Sequence, residues 1–293
     1  MTAIEEKGYF YSGDPIIREW SLVKTNYWPF ILCASYVFFV KRLGPHFMKN
    51  RKPFDLRRLM VVYNMFLVAA YSTCMFKLAY IFFTTDVTKT LCNPTKVLRN
   101  HYTYTACRTV WVIYLLKYIE FADTIFFVLR KKYHLVTNLH VIHHGVLPLL
   151  FWSGLRTETR GFRVILIYIN STVHAIMYTY YGLAAIGPQV QKYLWWKEHL
   201  TRLQMTQFAV ILILGFFGST LSRCTSSNRN LYSDMFFAML FLILFYNFYT
   251  RTYAKKGSKN KPRGKHISEN DSSFVSDWMD NLEFFANLRK DHV

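Results

Sequence analysis

Residues 138–152 read NLHVIHHGVLPLLFW. His140, His143 and His144 stand at i, i+3 and i+4 in an otherwise apolar run. On a helix that spacing brings all three imidazoles to one face. Imidazoles are costly to place among aliphatic side chains unless they have work or partners there. The question is what surrounds this helix.

The rest of the chain supplies an apolar setting. Of 293 residues, 52% are hydrophobic and 18% aromatic, with 26 Phe and 21 Tyr. Seven apolar runs cover 27–40, 59–83, 109–129, 135–155, 162–186, 203–221 and 231–250. Most reach the roughly 20 residues that cross a bilayer core. The expected fold is an all-α polytopic membrane protein with seven transmembrane helices. Residues 1–26 are mostly polar, carry Glu5, Glu6 and Asp14, and do not read as a signal peptide. The seven-span membrane domain is expected over 27–250, and 251–293 reads as a basic, mostly disordered tail. Within that tail FVSDWMDNLEFFANL has the pattern of a short amphipathic helix.

Charge sets the expected orientation. Segment 41–58 holds seven basic residues, tail 251–265 another seven, and the loops 130–134 and 187–202 add Lys131, Lys132, Lys192, Lys197 and Arg202 among others. The loops on the opposite side hold fewer. The positive-inside rule therefore puts the N-terminus in the lumen and the C-terminus in the cytosol. The formal net charge of +19 suits anionic headgroups or an anionic cytosolic substrate. Nucleic acid is not the expected partner, because the charge is scattered over loops between spans.

Other spans carry polar groups at helical spacing. The third has Lys117, Glu120 and Asp123 at steps of three, then Thr124. The fifth has Asn170, His174, Tyr178 and Tyr181 along one face, and the sixth opens with Thr201, Gln204 and Gln207. A single Tyr or Gln in a span is ordinary interhelical glue. An ionisable residue there costs roughly 2.5–3.5 kcal/mol even on the lenient insertion scale. Seven such residues fall on three consecutive spans, which points to a site. One reading is a metal centre, as in membrane di-iron desaturases and hydroxylases, but the sequence offers one histidine box and one isolated histidine. A receptor or carrier with buried charges is another. The third is acid–base and covalent work by imidazole itself, whose ordinary pKa suits nucleophile and base at neutral pH.

Four motifs carry a resemblance. HVIHH fits HxxHH, KYIEFADT fits KxxExxDT, NSTVHAIMYTYY fits NxxxHxxMYxYY, and TRLQ fits TxxQ, in that family's order. Together they resemble the very-long-chain fatty acid elongases, the membrane 3-ketoacyl-CoA synthases. The resemblance implies six of the seven helices in a barrel around a narrow acyl-chain tunnel, open to the cytosol and closed toward the lumen. It implies an acyltransferase of the endoplasmic reticulum membrane. That enzyme condenses a long-chain fatty acyl-CoA with malonyl-CoA, releases CO2 and CoA, and holds no bound cofactor or metal. His143 is the expected nucleophile, forming an acyl-histidine, and His174 the expected donor to developing negative charge. His140 and His144 would orient or relay protons, and Asn170 would fix His174. Lys117, Glu120 and Asp123 are expected as a charged frame, with Thr124, Tyr178, Tyr181 and Gln204 in support. Lys131, Lys132, Lys197 and Arg202 are the candidate CoA-binding cations. Expected partners are membrane lipid, the two CoA thioesters, other enzymes of the elongation cycle and a second copy of the chain.

The chain departs from the family at its end. It closes NLRKDHV, with Asp291 where a dilysine retrieval signal would have lysine. Of the five cysteines, Cys33, Cys74 and Cys107 read as packing residues. Cys92 and Cys224 fall in lumenal loops, where a disulfide forms and persists, and are expected to pin that end of the bundle.

Overall fold

A computed structural model describes residues 17, 19–85, 101–157, 162–220 and 228–254. The expected Cys92–Cys224 bond and nearly all of the basic tail lie outside the described residues. The chain divides into two units, Met1–Arg251 and Thr252–Val293, and the packed helices belong to the first.

Every regular element among the described residues is helical. In chain order these are α1 (Trp28–Phe38), a π-helical continuation Phe39–Leu43, α2 (Gly44–Met48), α3 (Arg57–Thr84), α4 (His101–Ile119) and α5 (Phe121–Leu129). Then come a 3-10 turn Tyr133–Leu135, α6 (Asn138–Thr157), α7 (Phe162–Ile186), α8 (Pro188–Gln191), α9 (Lys197–Thr220), α10 (Asn228–Tyr249) and a π-helical stretch Thr250–Ala254. Boundaries differ from expectation in three places. The third span starts at His101 and is broken at Glu120. The segment after the first span stays helical to Met48. The loop expected at 187–202 contains α8 and the first turn of α9.

The pattern on α3 shows how these helices bury one face. Asn64, Leu67, Tyr71, Cys74, Leu78 and Ile81 are its buried residues, spaced by three or four. The opposite face is also apolar but bare, with Phe76 66% and Phe83 90% exposed. A helix apolar all round, yet buried on one side only, suits a lipid surround. Among the described residues three helical stretches, Arg57–Thr84, Lys197–Thr220 and Leu231–Tyr253, are long and apolar enough to cross a membrane. The polar residues of the site lower the apolarity of the other long helices.

The helices pack in a definite order. α3 packs on α4 and α7, α7 on α9, α9 on α10, α10 on α6, and α6 on α4, so the pairings close a circuit. α1 packs against α6, and α2 against α5. The segment before α1 is anchored by side chains of α4 and α6. The Trp111 indole N–H donates to the Ser21 carbonyl at 3.1 Å, the Tyr114 hydroxyl to the Leu22 carbonyl at 3.2 Å, and Arg156 to Asn26. Cys33, Cys74 and Cys107 are buried, as their apolar sequence surroundings imply.

Candidate active site

The site begins at the break between α4 and α5. The Glu120 amide still donates to the Leu116 carbonyl at 2.9 Å, but the Asp123 amide turns back to the Glu120 carbonyl at 3.1 Å. The Ile119 carbonyl accepts from the Tyr63 hydroxyl of α3 at 3.2 Å. Backbone polarity inside an apolar bundle needs such partners. The break aims the Glu120 carboxylate into the bundle, where it is fully buried.

Four side chains from four helices meet that carboxylate. The Tyr71 hydroxyl of α3 donates to Oε1. The Lys117 ammonium of α4 donates to the same oxygen at 3.2 Å. His174 Nδ1 of α7 lies 3.0 Å from Oε1, and His144 Nδ1 of α6 lies 3.7 Å from Oε2. Lys117 Nζ also stands 3.4 Å from His174 Nε2, so Lys117, Glu120 and His174 form a triangle. The Tyr71 ring lies 5.0 Å from the His174 ring and stacks at 6.0 Å on Tyr178. Asp123 forms a second centre one turn on, accepting from the Tyr178 hydroxyl at 2.8 Å. Thr124 pairs with the Tyr36 hydroxyl at 2.8 Å.

The histidine helix starts with Thr137, whose hydroxyl accepts from the His140 amide at 3.2 Å, as an N-cap does. Pro148, one turn past the triplet, has no N–H to give to the His144 carbonyl. The three imidazoles do not share one environment. His144 faces Glu120, and its ring lies 4.4 Å from that of His140. His143 instead points among phenyl rings, 4.7 Å from Phe241, 6.1 Å from Phe245 and 6.5 Å from Phe208. His143 Nδ1, His140 Nε2 and Asn170 Oδ1 are buried and make no hydrogen bond. Orphaned polar atoms gathered in one place are the mark of a binding surface.

A cavity of about 620 Å³ runs along this surface. His140, His143, His144 and His174 line it, with Asp123, Asn170, Tyr181 and Gln204. Arg57, Arg130, His134 and Lys197 line it as well. A second, narrower cavity of about 100 Å³ shares His143, Asn170, Gln207 and Phe208 with the first. Its remaining wall is mostly apolar, with Leu147, Leu150, Phe151, Leu166 and Phe237, and includes Arg163 and Asp234. Those two form an ion pair at 2.6 Å. His143 thus lines both the larger cavity, which carries the other histidines and the cations, and the smaller, mostly apolar one.

The structure gathers most of the expected site and separates some of it. Lys117, Glu120, His144 and His174 come together, and Asp123 joins through Tyr178. Asn170 does not hold His174, as Glu120 does so instead. Lys197 lines the cavity, but Lys131 donates to the Lys49 carbonyl at 3.3 Å, and Arg202 is held by Glu198 and the Tyr249 hydroxyl. Neither these two nor Lys132 lies on the cavity wall. Sequence reasoning missed Tyr71, Asn64 and the cations Arg57 and Arg130. Tyr71 and Asn64 lie on the second span, seven residues apart, and that spacing was the available signal. Among the described residues no three His, Cys, Asp or Glu side chains are grouped to hold a metal ion.

The profile of the ELO family, described as GNS1/SUR4, matches residues 21–261. A Drosophila melanogaster protein named very long chain fatty acid elongase 7 is 39% identical over 252 residues, covering 85% of this chain and 75% of the relative. Elongase 7 of Rattus norvegicus is 39% identical over 253 residues, 83% and 86% of the two chains. Elongase 1 of Homo sapiens is 37% identical over 255 residues, 86% and 89%.

Proposed function

The chain belongs to the ELO family, and from that premise we propose that it is a membrane transferase that condenses fatty acyl-CoA with malonyl-CoA. The product is a 3-ketoacyl-CoA two carbons longer, released with CO2 and free CoA. The observation that carries the mechanism is the position of His143, which lines both cavities and has a buried and unbonded ring nitrogen. The apolar cavity takes the acyl chain, and the wider one takes the CoA arm. The thioester then lies at His143.

A ring nitrogen of His143 attacks the thioester carbonyl, the carbon–sulfur bond breaks, and CoA leaves. The acyl group is now held as an acyl-imidazole. Malonyl-CoA enters, loses CO2, and its enolate carbon attacks the acyl carbon, which returns His143 to its free form. Charge builds on the carbonyl oxygens at each stage. His174 meets that charge as a donor, with the Lys117 ammonium 3.4 Å from Nε2 adding positive charge and Glu120 beside Nδ1 to balance the imidazolium. His140 and His144 orient or relay protons. Arg57, Arg130 and Lys197, which line the wide cavity, are the proposed partners of the CoA phosphates, displacing Lys131, Lys132 and Arg202 from that role.

The circuit of helix pairings supports a six-helix barrel with α1 outside it. The basic residues of the cavity wall come from ends of α3, α5 and α9 that the charge rule puts in the cytosol, which supports seven spans with a lumenal N-terminus. An endoplasmic reticulum address follows from the family resemblance. The Cys92–Cys224 disulfide belongs to the same proposal, and non-reducing peptide mapping tests it. Alkylation of both thiols without prior reduction would eliminate the bond.

The deciding experiment on the activity uses purified chain with a long-chain acyl-CoA and carboxyl-labelled malonyl-CoA. Release of labelled CO2 together with a 3-ketoacyl-CoA two carbons longer supports the proposal. Neither product from folded protein would reject it.

A further inference from the structure

One polar side chain of the cavity wall has no part in the chemistry above. Asn64, on α3, is 2% exposed and lines the wide cavity. Its amide nitrogen donates to the Met60 carbonyl at 2.6 Å. That contact fixes which end of the amide is which, because a carbonyl accepts and only the nitrogen end can donate to it. The Asn64 oxygen is therefore the free end, and it is buried with no hydrogen-bond partner. Gly182 of α7 packs on the Asn64 side chain so closely that an added Cβ would stand 3.3 Å from Asn64 Cβ and strike Met65. A buried acceptor without a partner, on a residue that lines the cavity, calls for a donor from whatever fills that cavity.

The position along α3 says which donor. Arg57, Asn64 and Tyr71 are seven residues apart, so they lie on one stripe of the helix at steps of roughly 10 Å. Arg57 is exposed on the cavity wall, and Tyr71 holds the Glu120 carboxylate. Asn64 sits midway between a cation and the level of the reaction. The acyl chain has no donor, the thioester carbonyl only accepts, and the malonyl carboxylate only accepts. Between the thioester sulfur and the phosphates of CoA, the nearest donors are the two amide N–H groups of the pantetheine arm. Resting on the condensation proposed above, we propose that the Asn64 side-chain oxygen accepts a hydrogen bond from a pantetheine amide, making Asn64 a binding residue that sets the depth of the thioester.

The test uses the full-length chain, wild type, Asn64→Leu and Asn64→Ser. Each is given malonyl-CoA and an analogue in which both pantetheine amide N–H groups are replaced by ester oxygens. Wild type should use the analogue roughly ten- to hundredfold less well in kcat/KM, through KM, because a donor matched to a buried acceptor has been removed. Asn64→Leu should raise the KM for malonyl-CoA by a similar factor and use both compounds alike. Asn64→Ser keeps a small polar group at the α3–α7 seam and should show the same loss of discrimination, which covers a Leu variant that fails to fold. Wild type that uses both compounds equally would overturn the proposal, as would variants that keep wild-type discrimination. Wild type that makes no 3-ketoacyl-CoA from malonyl-CoA itself would reject the condensation reading instead, which is a separate result.

Discussion

Glu120 and His143 lie within one site and have opposite surroundings. Glu120 is met by Tyr71, Lys117, His144 and His174, from four helices. His143 is met by phenyl rings and leaves a nitrogen unbonded. A buried charge must be neutralised, and the Tyr71 hydroxyl and Lys117 ammonium that donate to Oε1 hold the Glu120 carboxylate in place. A nucleophile must keep a lone pair uncommitted. The contrast separates a frame, which positions, from a reactive group, which is left free to bond with substrate.

The comparison breaks most sharply at His143. His143→Ala should lower condensation by at least roughly a thousandfold, because the covalent route is removed while the Glu120 frame is untouched. Product assay and a thermal melt in detergent read both, and the melt should barely move. Glu120→Gln should act on both. It leaves Lys117 buried without its counter-charge, which costs about 3–5 kcal/mol of stability, so the melt should fall along with the rate. Tyr71→Phe removes one hydrogen bond to a charged oxygen, about 1.5–3 kcal/mol, and should slow the reaction roughly ten- to hundredfold with the chain still folded. Chelation should do nothing. The imidazole route needs no metal, and purified enzyme dialysed against chelator should keep its rate. One equivalent of tightly bound metal, with activity lost and regained alongside it, would replace the imidazole account with a metal-assisted one.

Much of the frame was legible in the sequence because helical spacing is short-range. Lys117, Glu120 and Asp123 at steps of three, and Asn170, His174 and Tyr178 at steps of four, could be placed on faces without knowing the fold. What spacing does not carry is the break at Glu120, which interrupts a run that reads as one continuous apolar helix. It also does not carry which neighbours meet. Asn170 is one turn from His174, and a local bond between them was the natural expectation. The packing of α4 and α7 brings Glu120 there instead. The mouth was least legible. Lys131, Lys132 and Arg202 are basic and lie in loops or at a helix start, yet composition does not tell which long side chains turn inward. Glu198 and Tyr249 hold Arg202 outside the wall, while Arg57 and Arg130 line it.

The central claim is that His143 carries the acyl group. Wild type incubated with acyl-CoA alone, then digested and analysed by mass spectrometry, tests it directly. The account predicts one acyl adduct on His143, free CoA in equal amount, loss of the adduct on adding malonyl-CoA, and no adduct in His143→Ala. An adduct on another residue, or full condensation by the alanine variant, would contradict it.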